Sequence, residues 1–341
     1  MNTSNKSILI TGAAGFIGST LVKHLVKEYR LIMLDDLSYG SLDNLIDYSS
    51  GLDSVDLSRD LIQCDITNYE QLEYHLGNKE IDIVIHCAAI APLADCQLNP
   101  NRALDVNVNG WINILEISRK LGVKSLYLAS TNAVYENHLL PSETITNIPT
   151  LIYPLSKYFA EAIAQSYIDT YQMNITIMRF ANVYGPNMDI KREFPPFIAY
   201  LVRELLVGNS PVIFNGGASK RNYIYSKDLS ALVSKLILES TSRIVDVCGF
   251  DNCTPLEIYK IVCEEMNIHI EYILGDQNNY WDKYKSLYET SYPINEELLI
   301  KEINKETMFV NNRNLDNLNW TPKYSIRDGL RETISAYRKL I

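Results

Sequence analysis

The chain has 341 residues, of which 47% are hydrophobic and 21% charged, enough apolar material for a large core in one or two globular domains. A net charge of −10 argues against nucleic acid as a partner, because binding a phosphate backbone needs a basic face. No run approaches the ~20 apolar residues of a membrane-spanning helix and no apolar leader follows a basic N-terminus, so we expect a cytoplasmic protein without membrane contact.

The N-terminal half of the chain, 1–180, alternates short β-rich runs with helical patterns. The strand runs are 7–11, 31–35, 61–64, 81–86, 124–130 and 174–179. Apolar residues recur at helical spacing in 16–29, 101–121 and 153–171. This alternation predicts an α/β fold, a Rossmann-like doubly wound parallel sheet with helices on both faces.

Beyond residue 180 the pattern loosens into shorter, proline-punctuated elements. We therefore predict a first domain at 1–180 and a smaller lobe at 181–341. A strand run at 243–248 followed by a helix signal at 254–266 predicts that about 225–265 returns to the first sheet. The polar, Tyr-rich stretch 276–292 is typical of a surface insertion.

The first strand run leads directly into three glycines, Gly12, Gly15 and Gly18, followed by a helix pattern. In a dinucleotide loop the first glycine permits a tight turn, the second lets the backbone approach a pyrophosphate, and the third lets helix and strand pack closely. The alternative is a simple strand-to-helix turn. The flanking strand and helix favour the dinucleotide site.

Two carboxylates follow the next strands. Asp35 lies close to the ~20-residue distance past the glycines at which a carboxylate binds the adenosine ribose, and there it favours NAD over NADP. Asp65 ends the third strand run and has two interpretations. It accepts a hydrogen bond from the adenine amino group, or it caps a helix ahead of Thr67 and Asn68.

Cysteine and histidine spacing gives no sign of a disulfide or a metal site. The six cysteines contain no C-x-x-C pair, and several lie within apolar runs, which is typical of buried free thiols. The five histidines lack metal-ligand spacing. We expect no metal.

The G-x-x-G-x-x-G spacing resembles the short-chain dehydrogenase/reductase superfamily, and further landmarks follow in order. They are His86-Cys87-Ala88-Ala89, Asn107-Val108-Asn109-Gly110, the segment from Ser130 to Tyr135, Tyr153-x-x-x-Lys157, the segment from Arg179 to Pro186, and the segment from Arg221 to Tyr225. Together they resemble the extended branch, which modifies nucleotide sugars. Residues 34–40, with Asn44, are similar to the UDP-hexose 4-epimerases.

The resemblance implies that 1–180 binds NAD, that 181–341 binds the substrate, and that the chain forms a homodimer through the helices at 101–121 and 153–171. The implied cofactor-binding residues are Gly12, Gly15, Phe16, Ile17, Gly18, Asp35, Asp36, Ser38, Gly40, Asp65, Ile66, Ala88, Ala89, Asn107, Tyr153, Lys157 and Phe180.

Tyr153 and Lys157 are four residues apart at the start of a predicted helix, so both side chains lie on one face, and Pro154 suits the first turn. A neighbouring ammonium favours the phenolate of a tyrosine, which then acts as a general base towards a sugar hydroxyl. The same spacing occurs at Tyr223 and Lys227. Only the position after the fifth strand favours Tyr153.

The resemblance also assigns residues to the substrate. Thr131 corresponds to the family residue that hydrogen-bonds the reacting hydroxyl, although a threonine capping a turn is the alternative. Asn182 and Arg221 correspond to contacts with the sugar diphosphate, and arginine suits phosphate because its guanidinium binds in a bidentate way. With Asn132 and Tyr153, these three are the predicted substrate residues.

Several positions depart from the pattern of relatives. Asn132 and Ala133 replace the acid pair of 4,6-dehydratases, and decarboxylating relatives carry a glutamate at the place of Ala133, so both activities are disfavoured. Four further departures leave the exact sugar nucleotide open: Glu136, Asn222, Lys301 and Asn304.

The predicted function is an NAD-dependent 4-epimerase of a nucleotide sugar. The alternative is a nucleotide-sugar 4-dehydrogenase or 4-keto reductase, which uses the same residues. A catalytically silent NAD-sensing or scaffold protein is expected to lose Thr131, Tyr153 or Lys157, and all three are present.

Overall fold

The computed structural model describes residues 6–47, 55–135, 148–193, 195–239, 242–275, 281, 284–304 and 320–341. The strands are β1 (Ser7–Thr11), β2 (Arg30–Asp35), β3 (Ile46–Asp47), β4 (Val55–Asp56), β5 (Leu61–Gln63), β6 (Ile83–His86), β7 (Ser125–Thr131), β8 (Ile175–Phe180), β9 (Asn182–Tyr184), β10 (Val212–Phe214), β11 (Arg221–Tyr225), β12 (Arg243–Val247), β13 (Asn252–Cys253) and β14 (Ile273–Gly275). The helices are α1 (Phe16–Leu25), α2 (Tyr69–Leu76), α3 (Leu93–Leu98), α4 (Pro100–Leu104), α5 (Trp111–Leu121), α6 (Ile152–Tyr171), α7 (Phe197–Leu206), α8 (Ser226–Glu239), α9 (Pro255–Met266), α10 (Glu296–Asn304) and α11 (Ile326–Tyr337).

Seven strands form one parallel sheet in the order β12-β8-β7-β6-β1-β2-β5. Every strand run predicted within 1–180 contributes to it, which confirms the predicted doubly wound fold. The run predicted at 243–248 forms β12, which pairs with β8 and is the one described strand of the C-terminal half in this sheet. The later part of the predicted return, β13 and α9, packs in the second lobe instead. The carboxyl ends of the strands therefore meet at one edge, where ligands bind in open α/β sheets.

Helices cover both faces of the sheet because consecutive strand residues are apolar and point to opposite faces. Ile8 and Ile10 belong to a core with α1 and α8, whereas Leu9 between them belongs to a core with α2, α5 and α6. All three isoleucine and leucine side chains are fully buried.

Two predicted helices have different bounds in the structure. The first ends at Leu25 rather than at residue 29. The helix predicted at 101–121 is divided into α4, a π-helical turn at Asp105–Gly110, and α5. Such π-turns are often found at functional sites, and this one turns Asn107 towards α6.

The second lobe is built on the small sheet β13-β11-β9, with α7, α9 and α11 packed around a separate core. Helix α9 is fixed at its start by a capping box between Thr254 and Glu257. In the stretch predicted as a surface insertion, Trp281 is only 3% exposed, so the prediction of a purely superficial segment is wrong there. The polar neighbours at 276–280 and 282–283 lie outside the described residues.

All six cysteines lie in described segments and are free thiols. Across those same segments no helix combines the length and apolar character needed to span a bilayer. Nor do the described histidine, cysteine and carboxylate side chains form a group of three or more that could hold a metal ion.

Candidate active site

The glycine turn leaves room for an anion to approach the backbone at the start of α1. Gly12 has a φ of 67°, which L side chains rarely adopt, and a Cβ there would lie 2.7 Å from the backbone nitrogen of Ala88. A Cβ on Gly18 would collide with the carbonyl oxygen of Gly12. Helix α1 begins at Phe16, directly after Gly15, and has no acidic residue in its first turn, so its positive end stays available to a pyrophosphate.

Asp35 lies at the end of β2 beside this turn and is 6% exposed. Its carboxylate accepts hydrogen bonds from the backbone nitrogens of Ala14 at 2.9 Å and Leu37 at 2.8 Å. Burial raises the pKa of this carboxyl despite those hydrogen bonds. The two bonds fix its orientation towards a small cavity, and Gly40 leaves room there, since a Cβ would lie 3.0 Å from the carboxylate.

That small cavity, of about 80 Å³, brings together most of the predicted cofactor residues at the sheet edge. The predicted residues in its lining are Gly12, Gly15, Asp35, Asp36, Ser38, Gly40, Asp65, Ile66, Ala88 and Ala89. The predicted cofactor residues outside it are Phe16, Ile17, Gly18, Asn107, Tyr153, Lys157 and Phe180. The glycine backbone and the Asp35 carboxylate at this edge suit the pyrophosphate and ribose of a dinucleotide.

Asp65 makes a local turn rather than the predicted helix cap, because Asn68 is the N-cap of α2. Its contact with the adenine amino group stays a prediction. Its Oδ1 accepts from the backbone nitrogen of Thr67 at 2.9 Å and from its hydroxyl at 2.8 Å, while Oδ2 accepts from Arg102 at 2.7 Å. Arg102 also lies 3.6 Å from the carboxylate of Asp36. No sequence pattern had singled out Arg102, because its partners come from two other strand ends.

The side chain of Asn107 makes its hydrogen bonds to other segments of the protein. Its side-chain amide donates to the Ile90 carbonyl and to the Ser156 hydroxyl, both at 2.9 Å, and its oxygen accepts from the Ile90 nitrogen at 2.8 Å. It therefore joins the loop after β6 to α6, the helix that carries Tyr153. A direct contact with the cofactor stays a prediction.

Tyr153 and Lys157 lie in the first two turns of α6, as predicted. Lys157 is 3% exposed and donates to the carbonyl of Ala129 at 2.9 Å. Burial lowers the pKa of Lys157 to about 8 and raises the pKa of Tyr153 to about 12, and a hydrogen bond that the Thr131 hydroxyl donates to the Tyr153 oxygen opposes the second shift. Thr131, at the end of β7, also accepts from the Ala133 nitrogen at 3.1 Å.

The competing pair, Tyr223 and Lys227, has no such geometry. Tyr223 lies on β11, whereas Lys227 lies on α8 and donates to Glu332 at 2.6 Å. The two side chains do not share a helix face.

A buried charge network lies directly behind the Tyr–Lys pair. Arg179 and Glu161 form an ion pair at 2.7 Å with side chains 2% and 6% exposed. The hydroxyl of Ser130 donates to Glu161 at 2.5 Å, and Arg179 donates to the hydroxyl of Tyr135 at 2.7 Å. Sequence reasoning missed this pairing, although Arg179 had been included in a family landmark.

A larger cavity of about 990 Å³ lies between the sheet edge and the second lobe. Asn182 and Arg221 line it, whereas Thr131, Asn132 and Tyr153 lie outside its lining. Asn182 donates to the carbonyl of Asn222 at 2.9 Å. Arg221 donates to the carbonyl of Glu302 at 3.1 Å, and this bond holds α10 over the cavity.

The departures from the family pattern fall on different parts of this region. Asn222 is fully buried and joins β11 to Gly249 through two hydrogen bonds of 2.9 and 3.0 Å, so it replaces an acid in a structural position. Lys301 is exposed on α10, and Asn304 ends that helix. Glu136 lies outside the described residues.

The fold and the site together define the class of protein. A glycine turn open to a pyrophosphate and a Tyr–Lys pair lie at the carboxyl end of the same sheet, an arrangement typical of enzymes that hold a dinucleotide against an alcohol carbon. The family is more specific. Residues 8–248 match the NAD dependent epimerase/dehydratase family, and the chain belongs to that family. Its cofactor is NAD.

Relatives named as epimerases and relatives named as dehydratases both align over nearly the whole chain. A UDP-glucuronate 4-epimerase of Thermodesulfobacterium geofontis is 29% identical over 332 residues, 96% of this chain and 94% of the relative. A dTDP-D-glucose 4,6-dehydratase of Mus musculus is 28% identical over 98% of this chain and 89% of its own length. The crystal structure of a UDP-glucose 4-epimerase from Thermotoga maritima, with UDP-glucose, has a TM-score of 0.81 at 26% identity, covering 98% of this chain and 99% of that one.

Proposed function

We propose that the protein is a 4-epimerase of a nucleotide sugar. The observation that carries this proposal is that half-buried Tyr153 and buried Lys157 lie in the first two turns of α6, with Tyr153 hydrogen-bonded to Thr131 at the end of β7. The cavity lined by Asn182 and Arg221 is large enough for a nucleotide sugar. Relatives named as UDP-sugar 4-epimerases support it.

Each residue has a definite task in this proposal. Arg221 and Asn182 hold the diphosphate in the large cavity. Tyr153 removes the proton of the C4 hydroxyl, and the Lys157 ammonium favours the phenolate that does so. Thr131 hydrogen-bonds Tyr153 and orients the hydroxyl. Bound NAD supplies a reversible hydride acceptor for C4.

Dehydratase chemistry needs an acid to expel water. The two residues after Thr131 are Asn132 and Ala133, which cannot provide it. This difference favours epimerisation over the reaction named for the mouse relative.

An isotope experiment tests the proposal. A panel of UDP-, GDP-, CDP- and dTDP-hexoses deuterated at C4 is incubated with the NAD-loaded protein, and products are analysed by mass spectrometry and NMR. We expect one of them to invert at C4 with the label retained, with no solvent deuterium at C4 and no external acceptor. A 4-ketone that accumulates only with an acceptor would instead establish the dehydrogenase alternative.

We also propose a homodimer and a cytoplasmic location. Phe159 and Tyr171 on α6 are 39% and 50% exposed, which suits a helix that pairs with a second copy. Six free thiols suit a reducing compartment. Analytical ultracentrifugation checks the dimer, and localisation of a tagged chain in its native cell checks the compartment.

A further inference from the structure

Two aromatic residues of the predicted insertion form part of one wall of the large cavity. Trp281 and Tyr284, here called the aromatic wall, both line that cavity, and their ring centroids are 5.6 Å apart. The backbone nitrogen of Tyr284 donates to the carbonyl of Trp281 at 2.8 Å, so the two rings are held in one local turn.

The aromatic wall is fixed by a core of its own. Trp281 is buried with Leu287, with Leu299 of α10 and with Ala94 of α3, and Tyr284 packs against the same cluster. One partner belongs to the first part of the chain and another to the second lobe. The aromatic wall therefore contacts both α3 and α10.

Helix α3 connects this wall to the catalytic end. On its inner side Cys96 is fully buried and donates to the Ile90 carbonyl at 3.3 Å, and Gln97 accepts from the backbone nitrogen of Ile152 at 2.7 Å. Ile152 directly precedes Tyr153. The aromatic wall is therefore on the α3 side of the cavity, the side that adjoins the start of α6. Because the proposed function requires the reacting sugar carbon to lie near Tyr153, we expect the hexose, rather than the base, at this wall.

We propose that the aromatic wall determines which hexose is accepted, with the Tyr284 ring packing on the sugar and Trp281 positioning Tyr284. This inference rests on the proposed function. The C–H face of a hexose packs well on an aromatic ring, and a half-buried tyrosine offers that surface at little entropic cost. Trp281, at 3% exposure, has less surface left for a ligand.

Calorimetric titration of the NAD-loaded protein separates the sugar from the nucleotide. Tyr284→Ala is expected to weaken binding of the accepted nucleotide hexose about 10-fold, equal to about 1.4 kcal/mol, and to change binding of the corresponding nucleoside diphosphate less than about 2-fold. Tyr284→Phe keeps the ring and should retain the affinity for both ligands. Tyr292→Ala is the matched control, since Tyr292 is 92% exposed in the same segment.

Each other outcome overturns a definite statement. If Tyr284→Ala weakens binding of the nucleotide hexose and of the nucleoside diphosphate equally, the aromatic wall contacts the nucleotide. If it weakens binding of neither, the aromatic wall does not contact the ligand. Either result refutes the inference. If binding of the nucleotide hexose depends on Tyr284 but no C4 inversion is detected, the proposed epimerase function is refuted and the inference about the aromatic wall stands. If no nucleotide hexose of the four bases binds the wild-type protein, both proposals fail.

Discussion

Replacement of Glu161 by glutamine should destabilise the protein strongly, because it removes one charge from a buried pair and leaves the other. The Arg179 guanidinium makes three hydrogen bonds to the Glu161 carboxylate, at 2.7, 3.1 and 3.1 Å, in a site almost closed to solvent. Breaking a buried pair from one side typically costs about 3–5 kcal/mol. We expect a loss of stability near the lower end of this range, because a second carboxylate, that of Asp246, remains near Arg179. Asp246 accepts a hydrogen bond from the Tyr135 hydroxyl, which itself accepts one from Arg179.

The loss of folding stability corresponds to a decrease in the melting temperature. An unfolding entropy of about 2.1 cal/mol/K per residue gives roughly 0.7 kcal/mol/K for 341 residues, so a loss of about 3 kcal/mol lowers Tm by about 4 °C. Differential scanning calorimetry of Glu161→Gln measures it. The matched control is Glu116→Gln, whose Arg119 partner is 40% exposed in a surface pair and whose loss should shift Tm much less. Equal shifts in the two variants would refute the account of the buried network.

Three further predictions concern the chemistry. Tyr153→Phe should lower kcat by about 100-fold or more with NAD binding retained, whereas Tyr223→Phe should leave the proton-transfer step intact; near-wild-type turnover in Tyr153→Phe would contradict the mechanism. Asp35→Ala should narrow the preference for NAD over NADP in fluorescence titrations, and a wild-type protein that binds NADP more tightly would exclude the ribose role. The pKa of Lys157 is lowered to about 8, so its side chain is an ammonium below that pH and a neutral amine above it. Because the mechanism needs the ammonium, kcat/KM should fall as the pH rises past about 8. In Lys157→Arg that fall should disappear from the profile, because arginine stays protonated there.

The sheet could be predicted from the sequence because its signal is local. Each central strand is a short apolar run between breakers, and residues such as Asp35 and Thr131 follow directly from their positions at strand ends. The family match supplied the Tyr153–Lys157 pair in the same way, through spacing along one helix.

The missed features depend on contacts between distant segments. Arg102 pairs with Asp65 only after two strand ends are brought together, and Arg179 meets Glu161 across a strand and a helix. Trp281 was assigned to a surface insertion because its neighbours are polar, while the apolar partners that bury it lie on α3, in the other half of the chain, and further along on α10. Periodicity carries no information about such pairs.

The position of β12 has a consequence for synthesis of the chain. Strand β8 is an unpaired, apolar sheet edge until β12 has left the ribosome, because this outer neighbour is encoded only after the whole of α7 and α8. During that interval the nascent protein resembles an aggregation-prone intermediate, exposing a template for strand addition by other chains. A fragment that stops at residue 180 would keep this edge of β8 exposed permanently. Expression of residues 1–180 alone should therefore need either the β12 segment or a charged substitution on β8 to stay monomeric.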